Sequence, residues 1–231
     1  MSKDLTELES KLHQTFNNQD FLLQALTHRS YLNEHPSFRL GHNERLEFLG
    51  DAVIELIVTE ALYERFPDKP EGDMTSYRAA LVNADMLSAV ATDLEINEYL
   101  RLSRGEAKDT GRARQYILAN TFEAVVGAMY LDSGYEAVKR FIHRSVLPHL
   151  DDVLLHRLHK DPKSLFQEEA QERAGITPTY IVRGESGPDD DKKFIVGVFL
   201  GDELVAEGEG PSKQVAQEEA ARNALKTRGW E

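Results

Sequence analysis

Cysteine is absent from all 231 residues. This excludes a disulfide scaffold and any thiolate metal site, and it fits a reducing compartment. No stretch approaches the roughly 18 apolar residues of a membrane span. The opening MSKDLTELES has no basic start followed by an apolar run, so no secretory signal is read there. A soluble, cytoplasmic protein with no membrane partner is expected. The 8 histidines form no HxH or HExxH arrangement, which argues against zinc. GEG at 208–210 lacks the ending of a phosphate loop, and no organic cofactor is expected. Tandem repeats and low-complexity tracts are also missing. Positive charge is in short supply. Lys and Arg number 27 against 40 Asp and Glu, a net charge of -13. The deficit is shared, -7 over residues 1–160 (18 against 25) and -6 over 161–231 (9 against 15). A polyanionic partner would have to be met by a local patch, because binding depends on where charges sit.

What is present suffices for a packed protein, since 41% of residues are hydrophobic. Apolar residues recur at helical spacing in Phe21–Leu32, Leu46–Tyr63, Met74–Val90, Ile117–Leu131 and Tyr135–Leu147. Asp73 is the expected N-cap of the third run, and Ser103–Arg114 reads as a loop. The pattern changes near residue 158. Residues 158–162 read as a linker, Lys163–Ala174 as a helix stopped by Gly175, and Pro178–Glu185, Lys193–Leu200 and Glu203–Glu209 as strands. A last helix runs from the N-cap Ser212 to about Arg228. The expectation is an all-α domain over 1–157, then a small α+β unit over 163–231 in the order α-β-β-β-α.

Two acidic groupings stand out. Glu44, Glu47 and Asp51 fall within an arc of roughly 60° on a helix. Asn120 and Glu123 share a face of a second helix, ILANTFEAVVGAMYL, that is otherwise almost wholly apolar. A carboxylate in such a setting is costly to bury unless it is paired or holds a metal. Phosphodiester hydrolysis needs an activated water and charge compensation on phosphoryl oxygens, which hard divalent cations supply through oxygen ligands. Spacing alone leaves a second reading open, a solvated acidic helix face with Arg45 pairing locally.

The segment Asn43–Asp51, NERLEFLGD, closely resembles the signature of the bacterial ribonuclease III family. Ala25–Glu34 (ALTHRSYLNE), Pro70–Asn83 (PEGDMTSYRAALVN) and Ile117–Tyr135 resemble further blocks of that family in the same order. KSLFQEEAQ, GPDDDKKF and GEGPSKQVAQEEAA resemble a double-stranded RNA-binding domain. The resemblance implies a homodimeric endonuclease that uses Mg²⁺, with Mn²⁺ as a substitute. It would cut duplex RNA to 5′-phosphate and 3′-hydroxyl ends and process ribosomal and some messenger RNA precursors. It assigns Glu47, Asp51, Asn120 and Glu123 to metal, with Asp51 and Glu123 central to cleavage. It places Glu44 and Glu71 as supporting acids along the same valley or its subunit boundary, and Phe48 and Leu49 near the place where subunits meet. The family usually carries Asp at position 120. An amide oxygen brings no charge, so a raised metal requirement is expected; the alternative is a duplex-binding protein with weakened or lost catalysis.

Ser164, Gln167, Glu168 and Gln171 match first-helix contacts of duplex RNA-binding domains, which read the minor groove by shape and 2′-hydroxyls. Pro188 and Asp190 occupy the turn of the second contact region, Lys213 remains from the lysines at the start of the last helix, and Lys192 and Lys193 partly compensate for those that are missing. Asp190 stands where the family has His, and Gln214 and Gln217 stand where lysines are usual. Weak binding with a shallow salt dependence is expected. His28 reads as a capping or packing residue, Tyr130 and Tyr135 as packing residues, and Trp230 as a frayed end.

Overall fold

A computed structural model describes residues 4–187 and 192–230. The chain divides between Leu154 and Leu155 into two compact units. No helix of the described residues is long and apolar enough to cross a membrane.

The helices of the first unit are α1 (Leu5–Leu12), α2 (Gln19–Ala25), α3 (Arg29–Glu34), α4 (Glu44–Arg65), α5 (Glu71–Val82), α6 (Ala84–Asp93), α7 (Arg112–Ser133) and α8 (Tyr135–Ser145), with α9 (Leu150–Leu155) at the boundary; an isolated parallel bridge joins Thr27 and Arg101. Helices α4 and α7, 22 residues each, pack along one another at its centre. Helix α7 is also flanked by α2, α6 and α8. That enclosure explains why its middle, from Leu118 to Met129, is apolar on nearly every side and almost wholly buried. Phe122 stacks on Phe141 of α8 at 5.7 Å between ring centroids.

Two helical runs read from the sequence are altered. Phe21–Leu32 is two helices, because His28 caps α3: its Nδ1 accepts from the Ser30 amide at 3.3 Å. Met74–Val90 is broken at Asn83, which leaves α5 in extended backbone and caps α6 through the Met86 amide at 2.9 Å. Apolar periodicity runs through both breaks, since the flanking helices bury faces in one core. Helix α5 begins earlier than expected, at Glu71, so Asp73 lies inside the first turn and is not the N-cap. The stretch Ser103–Arg114 contains a short 3-10 turn at Glu106–Lys108 and the first residues of α7.

The second unit holds α10 (Pro162–Ala174), β1 (Thr179–Ser186), β2 (Lys193–Leu200), β3 (Glu203–Gly210) and α11 (Lys213–Arg228). The strands form an antiparallel sheet in the order β1-β2-β3, with an irregular register between Val182 and Gly184. Val196, Val198 and Leu200 alternate into the core as period two requires. Helix α11 meets the sheet through small residues. A Cβ on Gly208 would stand 2.1 Å from the Ala220 amide nitrogen, so β3 and α11 touch backbone to backbone. Trp230 is not frayed. Its ring stacks on the buried Phe166 at 5.6 Å, and the Arg173 and Arg228 guanidiniums lie over it. Buried Glu169 takes Arg173 at 2.6 Å and also Arg157, and these two hold its carboxyl below the usual range against the opposing effect of burial.

Candidate functional site

The acids are brought together by a close helix crossing. A Cβ on Gly50 of α4 would fall 1.8 Å from the Glu123 carbonyl oxygen, and one on Gly127 of α7 would fall 2.1 Å from the Leu46 carbonyl oxygen. Only paired glycines permit such an approach, and each costs about 1 kcal/mol of helix propensity. Mid-helix glycines in two otherwise sound helical runs were the available sequence signal for this contact. The start of α4 is fixed separately. Buried Asn43 receives no side-chain cap bond; its Nδ2 donates to the Ala25 carbonyl at 3.2 Å and its amide to the Thr27 carbonyl at 3.0 Å.

The crossing sets Glu47 and Asp51 against Glu123. Burial, then Asp51, then Glu47 push the Glu123 carboxyl up to about 8. Burial, then Glu44 and Asp51, raise Glu47. Among the described residues, none of these three acids has a cationic partner within ion-pair distance. Glu44 differs, with Arg29 at 3.6 Å and His42 at 3.7 Å. Glu44, Glu47 and Asn120 open onto one cleft of about 490 Å³, which His28, Arg29, Glu106 and Tyr116 also line. His28 is held below its ordinary range, chiefly by burial.

The donor set fits a hard cation of a particular kind. Among the described residues, no three acidic or histidine side chains are drawn tightly enough to enclose an ion by themselves. Mg²⁺ does not need such a cage; it commonly takes one or two carboxylates and keeps waters or substrate phosphate for the rest. Uncompensated acids beside an amide oxygen match that habit. Glu71 is not part of this grouping within one chain. It accepts from the Thr75 hydroxyl at 2.9 Å and lines a separate pocket with Tyr63, Met74 and Arg78. Phe48, between Glu47 and Leu49, is 82% exposed; Leu56 and Tyr63 are exposed further along α4. Tyr130 packs against the core, and so does Tyr135, which also donates to Glu60 at 2.6 Å.

On the second unit Ser164, Gln167, Glu168 and Gln171 are all exposed on α10, opposite the buried Leu165, Phe166, Glu169 and Ala170. Several of these groups are already engaged. Ser164 donates to its cap Asp161 at 3.2 Å, Gln171 accepts from Thr177 at 3.1 Å, and Glu168 pairs with Lys160. The lysines are also occupied: Lys192 meets Glu185 at 2.7 Å and Lys193 meets Glu209 at 3.0 Å. Lys213, in the first turn of α11, sits over the Phe194 ring at 5.7 Å. Pro188 and Asp190 lie outside the described residues.

Comparison with known proteins agrees with both units. Residues 18–150 match the family described as ribonuclease-III-like, and residues 162–227 match the double-stranded RNA binding motif. Proteins named Ribonuclease 3 from Desulforamulus reducens and Carboxydothermus hydrogenoformans are 43% and 44% identical to this chain. The alignments cover 94% and 96% of the chain and 89% and 95% of those proteins. The solved nuclease domain of ribonuclease III from Campylobacter jejuni superposes with a TM-score of 0.57 at 35% identity. It spans 63% of this chain and 97% of that domain, and is described with a region involved in dimer formation. The chain belongs to the ribonuclease III family.

Proposed function

We propose that this protein is a divalent-cation-dependent endoribonuclease that hydrolyses double-stranded RNA, acting as a homodimer in the cytoplasm on structured precursors such as ribosomal RNA and some messenger RNAs. The observation that carries the reading is the Gly50–Gly127 crossing, which sets Glu47 and Asp51 against Glu123 with no cationic side chain among the described residues to balance them. Residues 1–157 are the nuclease domain, 158–162 the linker, and 163–231 the RNA-binding domain.

Glu47, Asp51 and Glu123 supply anionic oxygens and Asn120 a neutral one, and together they would hold Mg²⁺ or, in its place, Mn²⁺. The cation supplies water activation and charge compensation at the phosphoryl oxygens. Attack of water on phosphorus breaks the P–O3′ bond, leaving a 5′-phosphate and a 3′-hydroxyl. Glu44, tied to Arg29 and His42, borders the site without carrying an unbalanced charge into it. Ser164, Gln167, Glu168 and Gln171 meet the minor groove, with Lys213 facing a phosphate. Lys192 and Lys193 add to this surface, as do Pro188 and Asp190 by resemblance. The exposed rings and side chains along α4, Phe48, Leu56 and Tyr63, are the surface for the second copy, and Glu71 lines that boundary.

A labelled RNA duplex incubated with and without Mg²⁺ tests the reading. Cleavage only with the cation, abolished by Asp51→Asn while the duplex is still shifted on a gel, is the expected result. A duplex shifted but uncut across Mg²⁺ and Mn²⁺ titrations would instead support the non-cleaving binder, which neither fold nor relatives favour.

A further inference from the structure

Tyr116 is out of character with the middle of α7. From Leu118 to Met129 most of that helix is buried, yet Tyr116 is 48% exposed. It stands one turn before Asn120 and about two turns before Glu123, on the same side of the helix, and lines the cleft that Glu44, Glu47 and Asn120 share. A turn earlier, Arg112 places its guanidinium over the Tyr116 ring at 5.8 Å and donates to the phenol oxygen at 3.4 Å. Arg112 does not itself line the cleft and reaches its edge through Tyr116. It has no acidic partner among the described residues, whereas Arg29, which does line the cleft, is paired with Glu44. The cleft is otherwise acidic, with Glu44, Glu47 and Glu106 on its walls. An RNA strand entering it meets repulsion that a cation at the carboxylates relieves only locally.

We propose that Arg112 and Tyr116 form a substrate-contact platform at the mouth of the cleft, Arg112 taking a phosphate neighbouring the scissile one and Tyr116 presenting its hydroxyl to the adjacent ribose 2′-hydroxyl. The inference rests on the nuclease reading above. The distances suit it, since helical rise puts Tyr116 about 6 Å and Arg112 about 12 Å along the axis from Asn120. That is the scale of successive nucleotides leaving a site. A guanidinium matches a phosphate in two hydrogen bonds, and its stacking on the phenol holds both groups in position without an acid to neutralise them. A phenol hydroxyl donates and accepts, as does the 2′-hydroxyl that separates RNA from DNA.

The test uses the full chain as wild type, Arg112→Ala, Arg112→Lys and Tyr116→Phe. Duplex binding is measured in EDTA across a salt series, and cleavage in Mg²⁺ with KM and kcat separated. Substrates are an all-RNA duplex and one with single 2′-deoxy substitutions beside the cleavage position. Arg112→Ala is expected to weaken binding and raise KM about tenfold, as loss of a charged hydrogen bond does. It should also lower the salt slope by about one, with partial rescue by Arg112→Lys. Tyr116→Phe should remove the penalty that one 2′-deoxy position imposes on the wild type. Wild-type KM, salt slope and deoxy penalty in these variants would overturn the platform. A wild type that binds but does not cut would overturn the nuclease reading instead, leaving the salt slope in EDTA to decide for or against Arg112.

Discussion

Replacing Gly127 by alanine tests how the site is built. In an isolated helix the change should help, by about 1 kcal/mol of propensity. Here the new methyl would stand 2.1 Å from the Leu46 carbonyl oxygen and 3.1 Å from the Gly50 nitrogen, more than an ångström inside ordinary contact with the former. Both obstacles are backbone, so no rotamer change relieves them, and α4 must move away from α7. Overpacking costs about 1–3 kcal/mol when side chains can yield, and a backbone clash belongs at or above the upper end. Net destabilisation of about 2 kcal/mol corresponds to a fall of roughly 4–8 °C in the melting of the nuclease unit. The larger effect is on chemistry. A shift of about 1 Å between Glu47 and Asp51 on one helix and Glu123 on the other is expected to lower kcat about 100-fold. Differential scanning calorimetry and cleavage at saturating RNA and Mg²⁺ read the two effects. A Gly127→Ala protein that melts at or above the wild-type temperature and cuts at the wild-type rate would refute the claim that the crossing sets the geometry.

Asn120→Asp restores an anionic oxygen and should lower the Mg²⁺ concentration for half-maximal cleavage roughly tenfold, read from a metal titration. Glu123 titrates near 8 in the folded protein, above its unfolded value, so its stabilising neutral form is fully present below the ordinary carboxylate range and is lost as pH rises through about 8. Metal-free protein should therefore melt progressively lower between pH 5 and 9, and Glu123→Gln should flatten that decline in thermal melts in EDTA. Binding of duplex RNA should show a log–log salt slope no steeper than about -3, because Lys192 and Lys193 are paired with Glu185 and Glu209. A filter-binding series from low to moderate salt measures it.

The element types were legible because their periods are unambiguous. The apolar wall around Glu123 marks a helix enclosed by others, and the alternation in Lys193–Leu200 marks a strand with one buried face. The breaks at His28 and Asn83 were not, because a helix ended by a local cap leaves the flanking apolar rhythm intact. At the candidate site, cost marked Glu123, since an acid in apolar surroundings needs a reason, whereas Glu47 and Asp51 were marked by helical spacing and by the resemblance of NERLEFLGD to the family signature. The glycines that join them carry no chemistry, and only their cost to the helix marks them. Glu71 shows a different limit. Within the chain it lines a pocket separate from the cleft of Glu47, and neither helical spacing nor burial in the sequence signals that separation. Trp230 was read from its position near the chain end, whereas its partner Phe166 lies more than sixty positions away in sequence.

The partners of α10 have a practical corollary for portability. The RNA-binding motif matches residues 162–227, but Arg157, which pairs with buried Glu169, lies before that window, and Trp230, which covers Phe166, lies after it. A cassette trimmed to the motif and grafted elsewhere would carry a buried carboxylate short of one counter-ion and an uncovered ring. The transplantable piece is larger than the recognisable one, and its outermost residues are those that similarity alone would discard.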